Sequence, residues 1–223
     1  MTNKTQRSER RADALSKDKI VEAAIAILDT DGEAALTFRA LAARLSTGSG
    51  AIYWHVADKS DLLMAATDAI ISRVMANVVV ADGPANSIRA IALGVFDAID
   101  THPWVGAQLA GEPWQAAMGQ ILERIGRQLQ ALGVPQHAQF NAASSLLNFI
   151  LGVAGQNAAA ARLKGRVTDR SAFLASVAAQ WTQRDPSEYP FVRQVAAQLL
   201  DHDDRQQFLA GIDLILAGIG TLR

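Results

Sequence analysis

Apolar positions recur at helical spacing along almost the whole chain. Ile20, Ala23, Ala24, Ile27 and Leu28 fall on one face of a 3.6-residue repeat, with Ser16 in front as a cap and Gly32 behind as a stop. This predicts a helix from about Ser16 to Asp29. Leu41, Ala42 and Leu45 then form the inward face of a short helix capped by Thr37. A Ser/Thr/Gly cluster from Ser46 to Gly50 predicts a turn, and a third short helix carries Ile52, Tyr53 and His55. Asp58 caps a longer helix reaching to about residue 80, apolar at Leu62, Leu63, Ala66, Ile70 and Val74. The Asp82-Gly83-Pro84 turn ends this part.

Further helices are predicted at about 85–101, 104–110, 113–132, 136–163, 169–183, 190–200 and 203–220. No run of β-branched residues alternates with period two; Val78-Val79-Val80 is too short and closes a helical pattern. The six prolines all follow residue 83, each at a place where a helix starts or stops. Alanine, the best helix former, is abundant throughout. The expected fold class is all-α.

Composition narrows the class. A chain of 223 residues that is 50% apolar has ample material for a buried core and is not wholly disordered. No stretch of 18 uncharged apolar residues is present, and the N-terminus has no apolar segment behind its charges. The absence of cysteine excludes disulfides, thiolate metal sites and cysteine nucleophiles. A cytoplasmic location is therefore expected. The net charge of −1 hides an uneven distribution. Lys4, Arg7, Arg10, Arg11, Lys17 and Lys19 outnumber Glu9, Asp13 and Asp18, and Arg39, Arg44 and Lys59 face only Asp58 in the next basic segment. A positive end on a near-neutral chain fits a nucleic-acid footprint, and equally a solvated tail.

The chemistry concentrates between Thr37 and Val56, where two short helices flank a tight turn behind a longer helix. That is the arrangement of a helix-turn-helix, in which one helix braces the DNA backbone and the next enters the major groove. Ala40, Ala42 and Ala43 let the helices cross closely, Gly48 and Gly50 suit the turn, and Ile52 anchors the second helix inward.

The run Leu36-Thr37-Phe38-Arg39-Ala40-Leu41-Ala42-Ala43-Arg44-Leu45, then Ala51-Ile52-Tyr53-Trp54-His55-Val56 and Asp58-Lys59-Ser60-Asp61-Leu62-Leu63, closely resembles the DNA-binding domain of TetR-family regulators. The likeness covers about residues 16–65. It continues loosely through His102-Pro103-Trp104 and the Phe208 to Leu216 helix. The resemblance implies a flexible basic arm over 1–15, a DNA-binding domain over 16–64 and a helical ligand-binding and dimerisation domain over 65–223.

It also implies roles residue by residue. Thr37 would cap its helix and contact phosphate, and Arg39 would reach a base or phosphate. Tyr53, His55 and Lys59 would clamp phosphates, with Trp54 packing on the sugar or on the domain. The turn departs from the family pattern: Ser46 stands where a glycine usually follows the bracing helix. Gly48 and Gly50 present no side chain to a base, so readout falls on Ser49, Arg39 and the Ala51 methyl.

In the larger domain, Phe208, Ile212, Ile215 and Ile219 form a stripe at 4-3-4 spacing, and Leu147 and Ile150 lie on a second helix. Each stripe alone fits ordinary core, but the resemblance implies that such helices pair across a two-fold axis. Since one helix-turn-helix makes few contacts and a dimer spans two half-sites, both are expected at a dimer interface. Phe96, Trp104, Trp114, Met118, Phe140, Phe149 and Trp181, with the polar His102, Gln156 and Asn157, are candidates for an apolar ligand cavity. The histidines 55, 102, 137 and 202 are scattered without metal-ligand spacing, so no metal or cofactor is expected. The leading expectation is a homodimeric repressor released from a palindromic operator by a small apolar or amphipathic ligand. The alternatives are a small all-α enzyme, for which no Ser/His/Asp set or phosphate loop is present, and an architectural DNA-binding protein without a ligand.

Overall fold

The computed structural model describes residues 15–78, 82–111, 115–164 and 170–222. Of the predicted basic arm only Leu15 falls among them. The described residues form helices and no strand. In chain order they are α1 (Lys17–Asp31), α2 (Phe38–Arg44), α3 (Ser49–Tyr53), α4 (Lys59–Asn77), α5 (Pro84–Thr101), α6 (Pro103–Gly111), α7 (Ala116–Ala131), α8 (Gln136–Lys164), α9 (Arg170–Thr182), α10 (Pro190–Val195) and α11 (Asp204–Gly220). Short 3₁₀ turns at Glu33–Ala35 and Ala196–Leu199 complete the order. The predicted 190–200 helix is thus an α-helical turn followed by a 3₁₀ turn.

The predicted starts coincide with real caps. Ser16 Oγ accepts from the Lys19 amide at 3.3 Å, Thr37 Oγ1 from the Ala40 amide at 3.1 Å, and Asp58 Oδ1 from the Asp61 amide at 2.9 Å. Each satisfies a backbone donor that the first turn leaves free. Gly32 ends α1 at φ 78°, a left-handed conformation that glycine adopts without strain.

α1 packs on α4, and α2 packs on α3. α4 runs from this small bundle into the larger half, where it packs on α5, α6 and α7. α8 lies at the centre of the larger half against α5, α6, α7 and α11. One continuous core joins the halves: Ile20, Leu41, Ile52 and Leu62 at one end, Ile71 in α4, and Ile99, Ile121, Ile125 and Phe208 at the other are fully buried. Burial of one such side chain stabilises by about 1.5–3 kcal/mol. α8 and α11 approach so closely at Gly211 that a Cβ there would run into the Phe149 ring.

Two sequence expectations are corrected here. Phe208 and Ile212 are fully buried, as is Ile150, and Ile219 and Leu147 are nearly so; Ile215 is half-buried. Phe208, Ile212, Ile219, Leu147 and Ile150 are already spent on the chain's own core, whereas Ile215 keeps part of its surface. A helical stripe reports that a face is buried, not against what. The exposed face of α11 instead carries Ala210, Leu214, Ala217 and Gly218, with Leu214 75% exposed. Phe140, expected in a ligand cavity, stands on the outer face of α8 at 75% exposure.

Candidate nucleic-acid interface and regulatory groove

The helix-turn-helix is built on two fully buried anchors, Leu41 of α2 and Ile52 of α3. With these turned inward, helical geometry turns Arg39, Gly50, Tyr53 and Trp54 outward, and all four are exposed. Between the helices, the Thr47 amide bonds to the Ala42 carbonyl at 2.9 Å and the Ser46 amide to Ala43 at 3.3 Å. This pair of bonds defines a Schellman end, which places residue 46 at φ 51°. The same motif ends α7, where Gly133 holds the equivalent position at φ 77°. Ser46 therefore keeps the backbone path of a glycine turn at some strain.

The expected DNA-contacting residues take up distinct settings. Thr37 is exposed and its hydroxyl caps α2. Arg39 is exposed and has no side-chain partner among the described residues. Ser49, Gly50 and Ala51 form the first turn of α3. Tyr53 stacks flat on Phe38, ring centroids 4.3 Å apart, which holds its hydroxyl end outward with 56% of the residue exposed. Trp54 is 89% exposed and packs on nothing. His55 is half-buried at the end of the helix. Lys59 is engaged within the protein: its ammonium donates to the Glu33 carbonyl at 2.7 Å and lies 4.0 Å from the Glu33 carboxylate. An ammonium has three donors, so this grip still leaves it donors to spare.

The residues expected to line one cavity are not brought together. Phe96 is buried and stacks on Phe208 at 4.6 Å, and Phe149 stacks on the same ring at 5.8 Å. Met118 is core, Gln156 is exposed, Trp181 is half-buried on α9, and Trp114 lies outside the described residues. Asn157 is half-buried, and its amide nitrogen has no partner among the described residues. Trp104 is buried, and its indole nitrogen donates to Asp29 Oδ1 at 2.8 Å. His102 Nδ1 lies 2.8 Å from the same oxygen.

A groove of about 700 Å³ runs between α4 and α5, and His102 is the one predicted pocket residue that lines it. Ile70, Val74, Val78, Leu93 and Ala98 form its apolar walls, and Arg73, Asp97 and Arg205 supply charge. Sequence reasoning missed this groove because it looked for aromatics. The readable signal was Arg73, a guanidinium set in the apolar sequence of α4.

The geometry defines a helix-turn-helix DNA-binding fold attached to a larger helical domain. Residues 20–66 match bacterial regulatory proteins of the tetR family, and residues 85–223 match the tetracyclin repressor-like C-terminal domain. The chain belongs to the TetR family and is a transcriptional regulator of that family. It is 31% identical over 151 residues to an HTH-type transcriptional regulator of Saccharopolyspora erythraea, across 66% of this chain and 63% of that relative's length. It is 23% identical over 222 residues to the class D tetracycline repressor protein of Escherichia coli, across 92% of this chain and 88% of that one. Its fold superposes on the transcriptional regulator SCO7222, a TetR from Streptomyces coelicolor, with TM-score 0.86 and 50% identity over 94% of this chain and 99% of that one. ActR of Streptomyces coelicolor, solved in complex with actinorhodin, shares the fold at TM-score 0.77 and 22% identity, covering 92% and 95% of the two chains.

Proposed function

We propose that the protein is a homodimeric repressor that binds a palindromic operator and leaves it when a small apolar or amphipathic molecule binds. The observation that carries the DNA-binding part is the outward set Arg39, Tyr53 and Trp54 around a recognition helix anchored by Ile52. Tryptophan is highly buried on average, yet Trp54 is 89% exposed, and a recognition helix presents outward side chains to the DNA. In this reading residues 16–64 bind DNA and residues 65–223 dimerise and sense ligand. Residues 1–15 add basic charge, and the operator places the work in the cytoplasm. Thr37, Arg39, Tyr53, His55 and Lys59 hold phosphates or bases, and Ser49 and Ala51 read the groove. Trp54 packs on sugar.

Dimerisation rests on the bare face of α11, where Leu214 stands among Ala210, Ala217 and Gly218. Small residues let a second helix approach closely. The ligand-responsive part rests on the groove between α4 and α5, because α4 belongs to both halves and a ligand there touches the connector directly. Selection from random duplex DNA with the full-length protein tests the reading. An enriched inverted repeat, bound by a dimer in light scattering, is expected. Enrichment of a single asymmetric site, or no enrichment over random sequence, overturns it.

A further inference from the structure

We propose that the groove between α4 and α5 binds an amphipathic organic anion, whose acidic group takes Arg73 from Glu22 of α1. The proposal rests on the ligand-responsive reading above and names the chemistry of the ligand. Two features of the lining carry it. The walls are aliphatic, and α5 comes close to α4 because Gly94 has no side chain: a Cβ there would lie 2.7 Å from Val74 Cγ1. The charge on the lining is unbalanced. Arg73 and Arg205 face a single carboxylate, Asp97, and Asp97 is already held by Arg205 through both Nε at 3.3 Å and Nη2 at 3.1 Å.

Arg73 finds its partner outside the groove, in Glu22 on α1. Both side chains are about half exposed, 48% and 54%. Exposed ion pairs of this kind contribute little to stability. A carboxylate held beside Arg73 by an apolar tail accepts the same planar fork bidentately and out-competes Glu22. A cationic ligand meets the guanidinium surplus, and a neutral one has no charge with which to displace Glu22. The exchange matters because Glu22 belongs to the helix that supports the helix-turn-helix. Occupancy removes one of the ties between α1 and the ligand-bearing half. Asp29 of α1 makes further ties, to Trp104 and to His102, and His102 also lines the groove.

Equilibrium dialysis of the full-length protein against decanoate, decan-1-ol and decylamine tests the assignment. Decanoate is expected to bind about ten-fold or more tightly than either comparator, and Arg73→Gln to erase that preference. Glu22→Gln, which removes the competing carboxylate, is expected to tighten decanoate binding several-fold. Equal binding of the three probes, no decanoate binding, or an unchanged or weaker affinity in Glu22→Gln overturns the proposal. Should Arg73→Gln fail to fold, the Glu22→Gln result decides. Operator affinity in the same samples separates the two claims. Selective decanoate binding without operator release leaves the site standing and removes its regulatory use. Release by decan-1-ol equal to that by decanoate keeps ligand response and overturns the anion assignment.

Discussion

Asp29, in the last turn of α1, accepts a hydrogen bond at 2.8 Å from the indole nitrogen of Trp104, which sits at the start of α6. The two residues are 75 positions apart in sequence and tie the DNA-binding half to the larger half. Trp104 is 4% exposed, so its N–H has little water to fall back on. Asp29→Ala is expected to destabilise the fold by about 1–3 kcal/mol, the cost of a buried donor left unpaired. Trp104→Phe, which removes the donor and keeps most of the ring, is expected to cost less. Urea unfolding ranks the two, and hydrogen exchange should show earlier opening of α1 in Asp29→Ala. Equal, negligible effects would mean that the contact does not hold the halves together.

Ser46 occupies the left-handed position of a Schellman end whose counterpart on α7 is Gly133. A side chain in that conformation costs about 1–2 kcal/mol. Glycine regains that energy but loses about 0.4–1 kcal/mol through a more flexible unfolded chain. Ser46→Gly is therefore expected to stabilise the protein by roughly 0.5–1 kcal/mol, read as a higher urea midpoint at unchanged slope. Destabilisation would show that the serine hydroxyl makes a contribution its backbone conformation does not reveal.

What the sequence made legible was mostly local. The caps at Ser16, Thr37 and Asp58 could be read because each depends on residues three positions apart. The helix-turn-helix could be read because its anchors and its turn lie within twenty residues. The dimer face could not, since the stripe of Phe208, Ile212 and Ile219 satisfies the same periodicity whether it meets α8 of its own chain or a second copy. Arg73 marked the place of the groove, but its shape was illegible for a related reason. It depends on the distance between α4 and α5, which is set by Gly94 meeting Val74, a contact that no periodicity encodes. Phe140 failed the other way: size suggested burial, yet its place on α8 points it to solvent.

Leu214 follows from that correction. It is 75% exposed between Ala210, Ala217 and Gly218, and its removal leaves the chain's own core intact. Leu214→Asp is expected to convert the dimer to monomer in light scattering at micromolar concentration, because a charge is then buried in the interface. The monomer's own helical content should be unchanged. A variant that stays dimeric places the interface elsewhere.

Asp68, on α4, has one carboxylate oxygen buried with no hydrogen-bond partner among the described residues. Burial pushes its pKa above the ordinary value of 3.8, against the opposing pull of the Ala117 amide in the first turn of α7 and of Lys17. A carboxylic acid whose folded pKa is raised contributes unfavourably above that pKa, and the penalty disappears below the unfolded value. Asp68→Asn keeps an acceptor for Ala117 and removes the charge. It is expected to be more stable than the wild type at neutral pH, with the advantage shrinking as pH falls toward 3.8. Urea unfolding across that range checks the sign, and an advantage that grows on acidification would contradict it.

Gly50 separates what the fold needs from what DNA binding needs. It lies in the first turn of α3, is exposed, and does not take up a left-handed conformation. A Cβ added there would meet nothing within 4 Å. Nothing inside the protein therefore asks for glycine, and the helix itself favours alanine by about 1 kcal/mol. The first turn of a recognition helix is, however, the part that comes nearest to base edges. A methyl group at residue 50 then stands between the helix backbone and the floor of the groove. Gly50→Ala is expected to raise the melting temperature and at the same time weaken operator binding roughly ten-fold, the size of one lost base contact. Fluorescence anisotropy on the selected operator and a thermal melt of the same preparation read the two effects. If the variant is more stable and binds DNA as well as the wild type, α3 does not approach the bases at Gly50, and readout rests on Arg39, Ser49 and Ala51.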